Sequence, residues 1–274
     1  MTHAKWTLAG AERAAVLSYL RSLYTGVFSE AAFESHLDNH VGFSFADYTV
    51  AVMAPNVPKG SRLLDIGAGF GSCVLAARDA GWDAAGIEVA SFEVEFARRR
   101  LQTLRPQDSP DDVYRLGDAL SADLPAANFD VVTLWNVLEH IEDLTALLQR
   151  VRLLLKPGGI AYAICPSYFA WRLEAHYHVP WKPNPLLPRE KARAYLRSLG
   201  KDPAFFDTSI FRRTNHEVLG TLRALDFELR DMATLEPMDF KLNNLGSALA
   251  HPLRFIGYHN PFRHSVVLAA VKRR

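Results

Sequence analysis

The sequence predicts an α/β protein built on a doubly wound parallel sheet, with helices before the sheet and a helical insert late in it. Apolar, strand-like runs alternate with helical patterns over residues 61–165, and this alternation is typical of parallel sheets covered by helices on both faces. The first run, Arg62–Ile66, leads through three closely spaced glycines into a helical pattern at Ser72. Ligands of such folds bind outside the carboxyl ends of the strands. We therefore expect the functional site at that edge.

Length and composition fit one α/β domain with additions. The chain has 274 residues and 49% hydrophobic content, enough to bury a large core. We divide it into an N-terminal helical cover, residues 1–57, and a main domain, residues 58–274, with an insert at 167–213. A net charge of +1 argues against a general nucleic-acid binder. Two cysteines, no apolar signal core and no run of membrane-spanning length predict a cytoplasmic protein with reduced thiols, Cys73 and Cys165.

The glycine loop after the first strand predicts a ligand seat. Gly67, Gly69 and Gly71 allow positive φ and lack the Cβ atoms that would hold a ligand away from the backbone. Asp65 precedes them in a GxGxG pattern, unlike the acid-free GxGxxG that accepts a pyrophosphate. A carboxylate here suits a ligand that carries an ammonium and a sulfonium group. The string resembles the first motif, [DE]-x-G-x-G-x-G, of the class I S-adenosylmethionine-dependent methyltransferases.

Two later strand ends fit the cofactor site that this resemblance implies. Glu88 follows the loop by about twenty residues, where nucleotide-type folds place an acid against ribose hydroxyls; the alternative is an ordinary exposed acid. Asp118 and Ala119 lie where the family holds adenine, and the alternative is a plain turn. The resemblance implies that S-adenosylmethionine is bound by Asp65, Gly67, Ala68, Gly69, Gly71, Glu88, Val89, Asp118, Ala119 and Asn136.

The most specific resemblance lies in residues 130–141, which read D-x-V-x-x-x-x-V-L-E-H-I. A very similar string marks the ubiquinone-biosynthesis and small-molecule branch of these methyltransferases. The resemblance places Asn136 beside the methionine part of the cofactor. Metal-assisted quinone O-methyltransferases tend to carry an additional acid at that position, and its absence argues against a metal. His140 is our first candidate for a general base; the alternative is that it holds the turn in place.

The other elements complete the expected sheet. A helix over residues 143–156 ends at a Pro-Gly-Gly turn before a strand at 160–165, and Thr214 with Glu217 forms a capping box that opens another helix. Strands near residues 227–230 and 264–272 would give the family's seven-stranded, Rossmann-like sheet with an antiparallel last strand. In the helix at 91–104, Arg98, Arg99 and Arg100 are predicted to form a solvated face.

Three helices are predicted before the sheet, over residues 11–24, over 29–40, and from a capping box at 44–47 to just before Pro55. In the resembled family such a segment often closes over the cofactor. Phe43, Phe45 and Tyr48 would then line this cover, although packing within the helical core is the favoured interpretation for any single one.

The insert is the predicted acceptor side. It is rich in aromatic, histidine and basic residues, among them Trp171, Arg172 and Lys182. Prolines interrupt it, so we expect a poorly packed, mobile cover over residues 168–204. His176 and His178 are further candidate bases, and no metal is predicted because the sequence shows no other ligands beside them. A basic face on a predicted helix at 189–199 is either solvated or able to touch an acidic acceptor or a membrane surface, and its members are Arg189, Lys191, Arg193 and Arg197.

The sequence therefore predicts a methyltransferase that O-methylates a small-molecule or glycan- or lipid-linked acceptor and releases S-adenosylhomocysteine. A nucleotide-cofactor oxidoreductase is the first alternative, which Asp65 and the glycine spacing disfavour. A non-catalytic module that binds S-adenosylmethionine is the second. The residues leave the acceptor and the oligomeric state open.

Overall fold

A computed structural model describes residues 7–8, 10–169, 176–181, 183–238 and 265–273. Its seven strands form one sheet with the order β3-β2-β1-β4-β5-β7-β6. Their bounds are β1 (Arg62–Ile66), β2 (Asp83–Glu88), β3 (Tyr114–Leu116), β4 (Phe129–Trp135), β5 (Leu155–Pro166), β6 (Phe227–Arg230) and β7 (Ser265–Lys272). The first five strands are parallel, and β7 runs antiparallel to both of its neighbours. The predicted fold is confirmed.

Ten helices lie within the described part of the chain: α1 (Gly10–Leu23), α2 (Glu30–Val41), α3 (Ser44–Met53), α4 (Ser72–Asp79), α5 (Ser91–Leu104), α6 (Pro110–Val113), α7 (Leu144–Leu154), α8 (Arg189–Ser198), α9 (Ala204–Ser209) and α10 (Asn215–Ala224). The sheet separates two hydrophobic cores. Leu64 belongs to the core that contains α7 and α10, and Leu63 to the core that contains α3, α4 and α5. Successive strand side chains point to opposite faces, so β1 contributes to both. None of the described helices is both long and apolar enough to span a bilayer.

The order of strands explains where the site lies. From β1 the chain winds outward through β2 to β3 and then returns to the other side of β1 as β4. A crevice opens at the carboxyl ends of the strands where the winding direction changes.

The capping box predicted at Thr214 is present at the start of α10. Glu217 N–H donates to Thr214 Oγ1 at 3.1 Å, and Thr214 N–H donates to Glu217 Oε2 at 3.4 Å.

The capping box predicted at Ser44–Asp47 is wrong. Helix α3 begins at Ser44 itself, and Phe43 precedes it with right-handed helical dihedral angles and without a side-chain cap. The backbone N–H of Asp47 donates to the carbonyl of Phe43 at 2.7 Å. The donor that the Ser44 hydroxyl would have capped is therefore already used by the backbone.

The prediction that all three arginines of α5 face solvent is also wrong. Arg100 is 1% exposed; it donates to Val41 O at 2.7 Å and to Ser72 Oγ at 2.8 Å, and its guanidinium lies 4.2 Å from the ring centre of Phe43. Burial lowers its pKa to about 10. Consecutive helical residues point about 100° apart, so the three arginines point in different directions, and Arg100 lies on the side of α5 that carries buried Phe96. Arg100 thereby links α5 to α2 and α4.

The insert packs around a core of its own, contrary to the expectation of poor packing. Tyr168, Tyr177 and Phe206 are fully buried there, together with Val27 from the connection between α1 and α2. The predicted helix at 189–199 is present as α8. Trp171, Arg172 and Lys182 lie outside the described residues.

The basic face of α8 is partly neutralised within the chain. Arg189 and Arg193 both pair with Asp207 of α9, at 3.2 Å and 2.9 Å. Two of the four basic residues predicted for this face thus contact an acid of the insert itself.

Candidate functional site

An open cavity of about 830 Å³ lies at the carboxyl edge of the sheet. One end, which we call the glycine-loop end, is lined by Asp65, Gly67, Ala68, Gly69, Glu88, Val89, Glu93, Asp118, Ala119 and Asn136. The other, the histidine end, is lined by Tyr24, Phe28, His36, His40, Glu139, His140, His176 and Phe205. Every residue predicted to bind the cofactor lines this cavity except Gly71. Of the three candidate bases, His140 and His176 line it.

The glycine loop has the backbone that its sequence predicts. Gly67, Gly69 and Gly71 have φ angles of +73°, +52° and +82°, which side chains disfavour. A Cβ atom on Gly67 would lie 2.5 Å from the side chain of Val137, and one on Gly71 would lie 2.6 Å from the hydroxyl of Tyr114. Gly71 therefore serves the packing of the loop on β3, whereas Gly67 and Gly69 face the cavity.

Glu88, at the end of β2, fixes the loop as well as lining the cavity. Its Oε2 accepts the N–H of Gly69 at 3.1 Å, and its Oε1 accepts the N–H groups of Val89 and Ala90 at 2.7 Å and 3.0 Å. Each carboxylate oxygen has two lone pairs, so Oε2 keeps the capacity to accept one more hydrogen bond. This carboxylate is more than an exposed strand-end acid.

Glu93 and Tyr19 are site residues that the sequence reasoning missed. Tyr19 of α1 donates to Glu93 Oε1 at 3.0 Å, and Glu93 Oε2 lies 3.4 Å from the place where a Gly69 Cβ would stand. Burial, followed by the nearby charge of Glu88, raises the pKa of Glu93 to about 7. The available signal was an acid in the first turn of α5, five positions after Glu88. Through this contact the N-terminal cover reaches the glycine-loop end.

Asp65 is buried beneath the loop at 2% exposure, and it accepts the hydroxyl of Thr133 at 2.6 Å. Burial raises its pKa to about 7, and the bond from Thr133 opposes that rise. A cationic ligand in the cavity would favour the ionised carboxylate.

Asp118 and Asn136 lie on the surface of the cavity. Asp118 is exposed, and its Oδ1 accepts the N–H of Leu120 at 2.9 Å. It therefore forms the plain turn that was weighed as the alternative, while its second oxygen can accept from a ligand. Asn136 follows β4 with a φ of +54°, and its N–H donates to Ile164 O at 2.7 Å. That bond holds its exposed side chain at the strand end.

The two cavity histidines are held by hydrogen bonds at one ring nitrogen each. His140 lies on the one-turn helix Leu138–His140 and donates from Nδ1 to Ser209 O at 2.6 Å; since a carbonyl only accepts, Nδ1 carries the proton. His176 Nδ1 lies 2.9 Å from the hydroxyl of Tyr168. The two rings meet edge to face with centroids 5.3 Å apart. His140 is exposed at the cavity surface, and the loss of solvation around its ring, followed by the charge of His176, lowers its pKa.

Glu139 is the second acid that sequence reasoning passed over, although it stands inside the V-L-E-H-I string. It is fully buried, and neither carboxylate oxygen accepts a hydrogen bond from another of the described residues. Burial raises its pKa to about 7 and the charge of His176 opposes this. Ligand atoms of Glu139, His140 and His176 all lie within 4.8 Å of one another. The sequence showed no partners for His176; the fold supplies two.

His178 and Trp181 are not among the residues that line the cavity. His178 has a φ of +53°, and its Nε2 is 3.1 Å from Nε2 of His36 on α2. Trp181 is 49% exposed, and its backbone N–H donates to the hydroxyl of Tyr195 at 3.1 Å. The alternate histidines of the His-x-His pair thus point to different neighbours.

Comparisons with known proteins agree with this architecture. A family model described as "Methyltransferase domain" matches residues 39–198. The ubiquinone biosynthesis O-methyltransferase of Xanthomonas axonopodis pv. citri is 35% identical over 102 residues, which is 37% of this chain and 41% of that protein. Its counterpart from Cereibacter sphaeroides is 31% identical over 173 residues, 58% of this chain and 67% of that protein. The chain spans about half the length of the first curated relatives that it matches.

A solved structure shows the same fold. An S-adenosylmethionine-dependent methyltransferase from Mesorhizobium loti has a TM-score of 0.51 and 18% identity over 83% of this chain and 98% of that one. The family model covers more than half of this chain and includes the glycine loop, the strand ends and the V-L-E-H-I string. The chain therefore belongs to the methyltransferase domain family, and its membership of the class I S-adenosylmethionine-dependent methyltransferases, predicted from the loop and from residues 130–141, is confirmed.

Proposed function

We propose that this protein transfers a methyl group from S-adenosylmethionine to a hydroxyl oxygen of a small-molecule acceptor and releases S-adenosylhomocysteine. The observation that carries the proposal is the continuity of the cavity. It joins a glycine loop with strand-end acids to a group of histidine and aromatic side chains. Methyl transfer needs these two kinds of surface in one space, because the acceptor oxygen must meet the sulfonium methyl in line.

The glycine-loop end fits the cofactor group by group. Glu88 would accept from the ribose hydroxyls, with the capacity left on Oε2, and Asp118 from the adenine amine. Buried Asp65 and the exposed amide of Asn136 would face the methionine part. Gly67 and Gly69 would let the ligand approach the backbone.

The histidine end fits a flat, largely apolar acceptor that carries a hydroxyl. Tyr24, Phe28 and Phe205 form aromatic walls there, between the imidazoles of His36, His40, His140 and His176. Flat rings pack well against such walls. The names of the curated relatives, ubiquinone biosynthesis O-methyltransferases, support an O-methylated small molecule. A glycan- or lipid-linked acceptor remains within the proposal, since the cavity is open.

In the reaction the acceptor oxygen attacks the methyl carbon, the carbon–sulfur bond breaks with its electron pair on sulfur, and the hydroxyl proton passes to water by way of the histidine that accepts its hydrogen bond. We assign the hydrogen bond from that hydroxyl first to His140 and next to His176; His178 is not among the residues that line the cavity. The pKa of His140 is lowered from its ordinary value, so its ring is neutral at pH 7. A phenol-like hydroxyl has a pKa of about 10, so His140 serves to orient the acceptor more than to keep its proton.

We also assign the protein to the cytoplasm and to small-molecule chemistry. Cys73 and Cys165 are not joined by a disulfide, as expected in a reducing compartment. The nearly neutral net charge of +1 supports a partner other than nucleic acid. The basic side chains of Lys191 and Arg197 on α8 would allow contact with a membrane surface.

Calorimetry with S-adenosylmethionine, S-adenosylhomocysteine and a nicotinamide dinucleotide tests the cofactor. We expect binding of the first two alone; binding of the nicotinamide alone would support the oxidoreductase alternative. Incubation of a cell extract with the protein and methyl-labelled cofactor, followed by mass spectrometry, tests the reaction. A labelled small molecule supports the proposal, whereas cofactor binding without a labelled product from any acceptor class would favour the binding module.

A further inference from the structure

Tyr24, directly after α1, lies between the two ends of the cavity. Five positions earlier, Tyr19 of α1 bonds to Glu93 at the glycine-loop end. The ring of Tyr24 lies 5.1 Å, between centroids, from the ring of Phe205 at the histidine end. Burial, followed by the charges of Glu93 and then Glu139, raises the pKa of Tyr24. The residue is therefore close to an acid at each end of the cavity.

A row of aromatic rings passes through Tyr24 from one end of the cavity to the other. It begins at Phe70 in the glycine loop, whose ring centroid is 6.1 Å from that of His40. The ring of His40 is 5.9 Å from that of Tyr24. On the far side of Tyr24, the ring of Phe205 is 6.2 Å from that of His140. Tyr24 thus stands in the middle of a row that joins the glycine loop to the first candidate acceptor histidine.

The hydrogen bonds of His40 fix the direction of the Tyr24 hydroxyl. His40 Nδ1 lies 2.8 Å from His36 O, and because a carbonyl only accepts, Nδ1 carries the proton. Burial lowers the pKa of His40, so its ring is neutral at pH 7 and Nε2 is an acceptor. Tyr24 Oη is 3.3 Å from that Nε2 and donates its proton to it. The lone pairs of Oη therefore point away from His40, and no residue that the structure describes donates to them.

We propose that Tyr24 is a catalytic residue whose oxygen accepts weak C–H hydrogen bonds from the methyl group of S-adenosylmethionine and aligns that group with the acceptor. This role deepens the proposed function and rests on it. Carbon bonded to a positively charged sulfur withdraws electrons from its hydrogens, which strengthens such C–H···O contacts. A fixed oxygen dipole beside the path of the methyl also stabilises the positive charge there without reorganisation. His140 would orient the acceptor hydroxyl, and Tyr24 the methyl.

NMR of the full chain with methyl-¹³C-labelled S-adenosylmethionine tests this contact without an acceptor. Hydrogen bonding moves a proton signal downfield, so we expect the methyl protons of the bound cofactor to resonate downfield of those of the free cofactor. Tyr24→Phe should remove most of this shift, because phenylalanine keeps the ring and its effect on the signal and lacks only the oxygen. Tyr48→Phe, at a position of α3 that is 50% exposed, is the matched control and should leave the shift unchanged. His40→Leu should reduce the shift in part, since the Tyr24 proton then loses its acceptor.

Once an acceptor is known, the single-turnover rate gives a second readout. Tyr24→Phe should lower this rate at saturation by about three- to tenfold, as expected for the loss of weak hydrogen bonds made to the reacting group. The affinities for cofactor and acceptor should stay within threefold, because the contact is made to neither the adenosine nor the acceptor.

An equal methyl shift in the wild type and in Tyr24→Phe would overturn the proposal. So would a Tyr24→Phe variant that loses affinity for the acceptor and keeps its rate, since Tyr24 would then bind the acceptor and leave the methyl alone. An unchanged shift in His40→Leu would contradict the orientation of the hydroxyl by His40. Failure of the proposed function itself is distinguishable, because it would appear as absent binding of S-adenosylmethionine to the wild-type chain.

Discussion

The two ends of the cavity are built in different ways. The glycine-loop end consists of short segments that each follow one strand, and Asp65, Glu88 and Asp118 come from three successive strand ends. The histidine end is assembled from the turn after β4, the insert, and the first two helices. Its contacts join residues that are distant in the sequence, such as Tyr24 and Phe205, whose ring centroids lie 5.1 Å apart. Where a site is local in sequence, its chemistry can be predicted from a motif; where it depends on tertiary contacts, residue types predict little.

The largest effect that would test this difference is expected from Gly69→Val. A β-branched residue at a φ of +52° is strained, and its side chain would enter the cavity beside Glu93. We expect at least a hundredfold loss of affinity for S-adenosylmethionine by calorimetry, with the circular dichroism of the fold retained.

Gly158→Val is the matched control for Gly69→Val. Gly158 also has a positive φ, +78°, and nothing lies within 4 Å of an added Cβ; it lies in the irregular first part of β5, at the amino-terminal ends of the strands, opposite the cavity. It should reproduce the backbone strain and leave cofactor affinity unchanged. Unchanged binding in a folded Gly69→Val variant would remove the cofactor from the glycine-loop end.

The next effect concerns Glu88→Ala. Ribose hydroxyls are unchanged during methyl transfer, so bonds to them stabilise ground and transition states alike. Loss of a hydrogen bond to a charged group costs about 1.5 to 3 kcal/mol, which is roughly ten- to a hundredfold in affinity. We expect that loss in cofactor affinity with turnover nearly unchanged at saturation.

Glu88→Ala also removes the acceptor of the Gly69 N–H, so this variant disturbs the glycine loop as well as the expected ribose contact. Glu88→Gln keeps an oxygen for that N–H and should retain more affinity than Glu88→Ala. Glu95→Ala, at an exposed position of α5, serves as the control. A turnover defect that saturating cofactor does not restore would show that Glu88 acts beyond ribose binding.

A smaller effect is expected at the histidine end, from a pair of variants two residues apart. His176 lines the cavity and His178 faces His36 instead. Once an acceptor is known, His176→Ala should lower kcat/KM for that acceptor about tenfold, as loss of one positioning group does. His178→Ala should change it less than threefold, and cofactor affinity should stay within threefold in both.

The same two variants also test whether His176 and His178 act together on the acceptor. His176 and His178 were both candidate bases on the predicted acceptor side, but only His176 lines the cavity. If His176→Ala abolishes cofactor binding and leaves acceptor kinetics alone, the division between the two ends of the cavity is wrong.

The limits of prediction follow from the same physics. The strands were predictable because buried parallel strands require continuous apolar runs, and the glycine loop because only glycine tolerates its φ angles. The inward turn of Arg100 was not predictable, since its partners come from several segments: the carbonyls of Val41 on α2 and Phe70 in the glycine loop, the hydroxyl of Ser72 on α4 and the ring of Phe43. Likewise, nothing local marks Glu139 as buried beside His176, because the insert that supplies His176 begins only at residue 167, after the whole of α7 and β5.

The smallest predicted effect concerns the pH dependence of stability through Glu93. Its pKa is raised from 4.5 to about 7 in the folded chain, so the folded state keeps a proton that the unfolded state loses. Between these two values the unfolded chain binds fewer protons, and the free energy of unfolding therefore falls as pH rises from about 4.5 to about 7 and is level above it. Asp65 and Glu139 act in the same direction.

Glu93→Gln isolates this contribution, because an amide keeps the acceptor for Tyr19 and does not ionise. Relative to the wild type, the variant should gain about 1 to 2 kcal/mol of stability between pH 5 and pH 7, since each unit of pKa shift corresponds to about 1.4 kcal/mol before screening by solvent is discounted. Urea unfolding at several pH values measures the difference in the free energy of unfolding between variant and wild type. For the control Glu95→Gln, at an exposed position on the same helix, this difference should not change with pH. If the Glu93→Gln and wild-type profiles stay parallel, Glu93 is ionised in the folded chain. The N-terminal cover would then meet the glycine-loop end through a charged carboxylate, and a cofactor that approaches this end would meet two negative charges, from Glu88 and Glu93, instead of one.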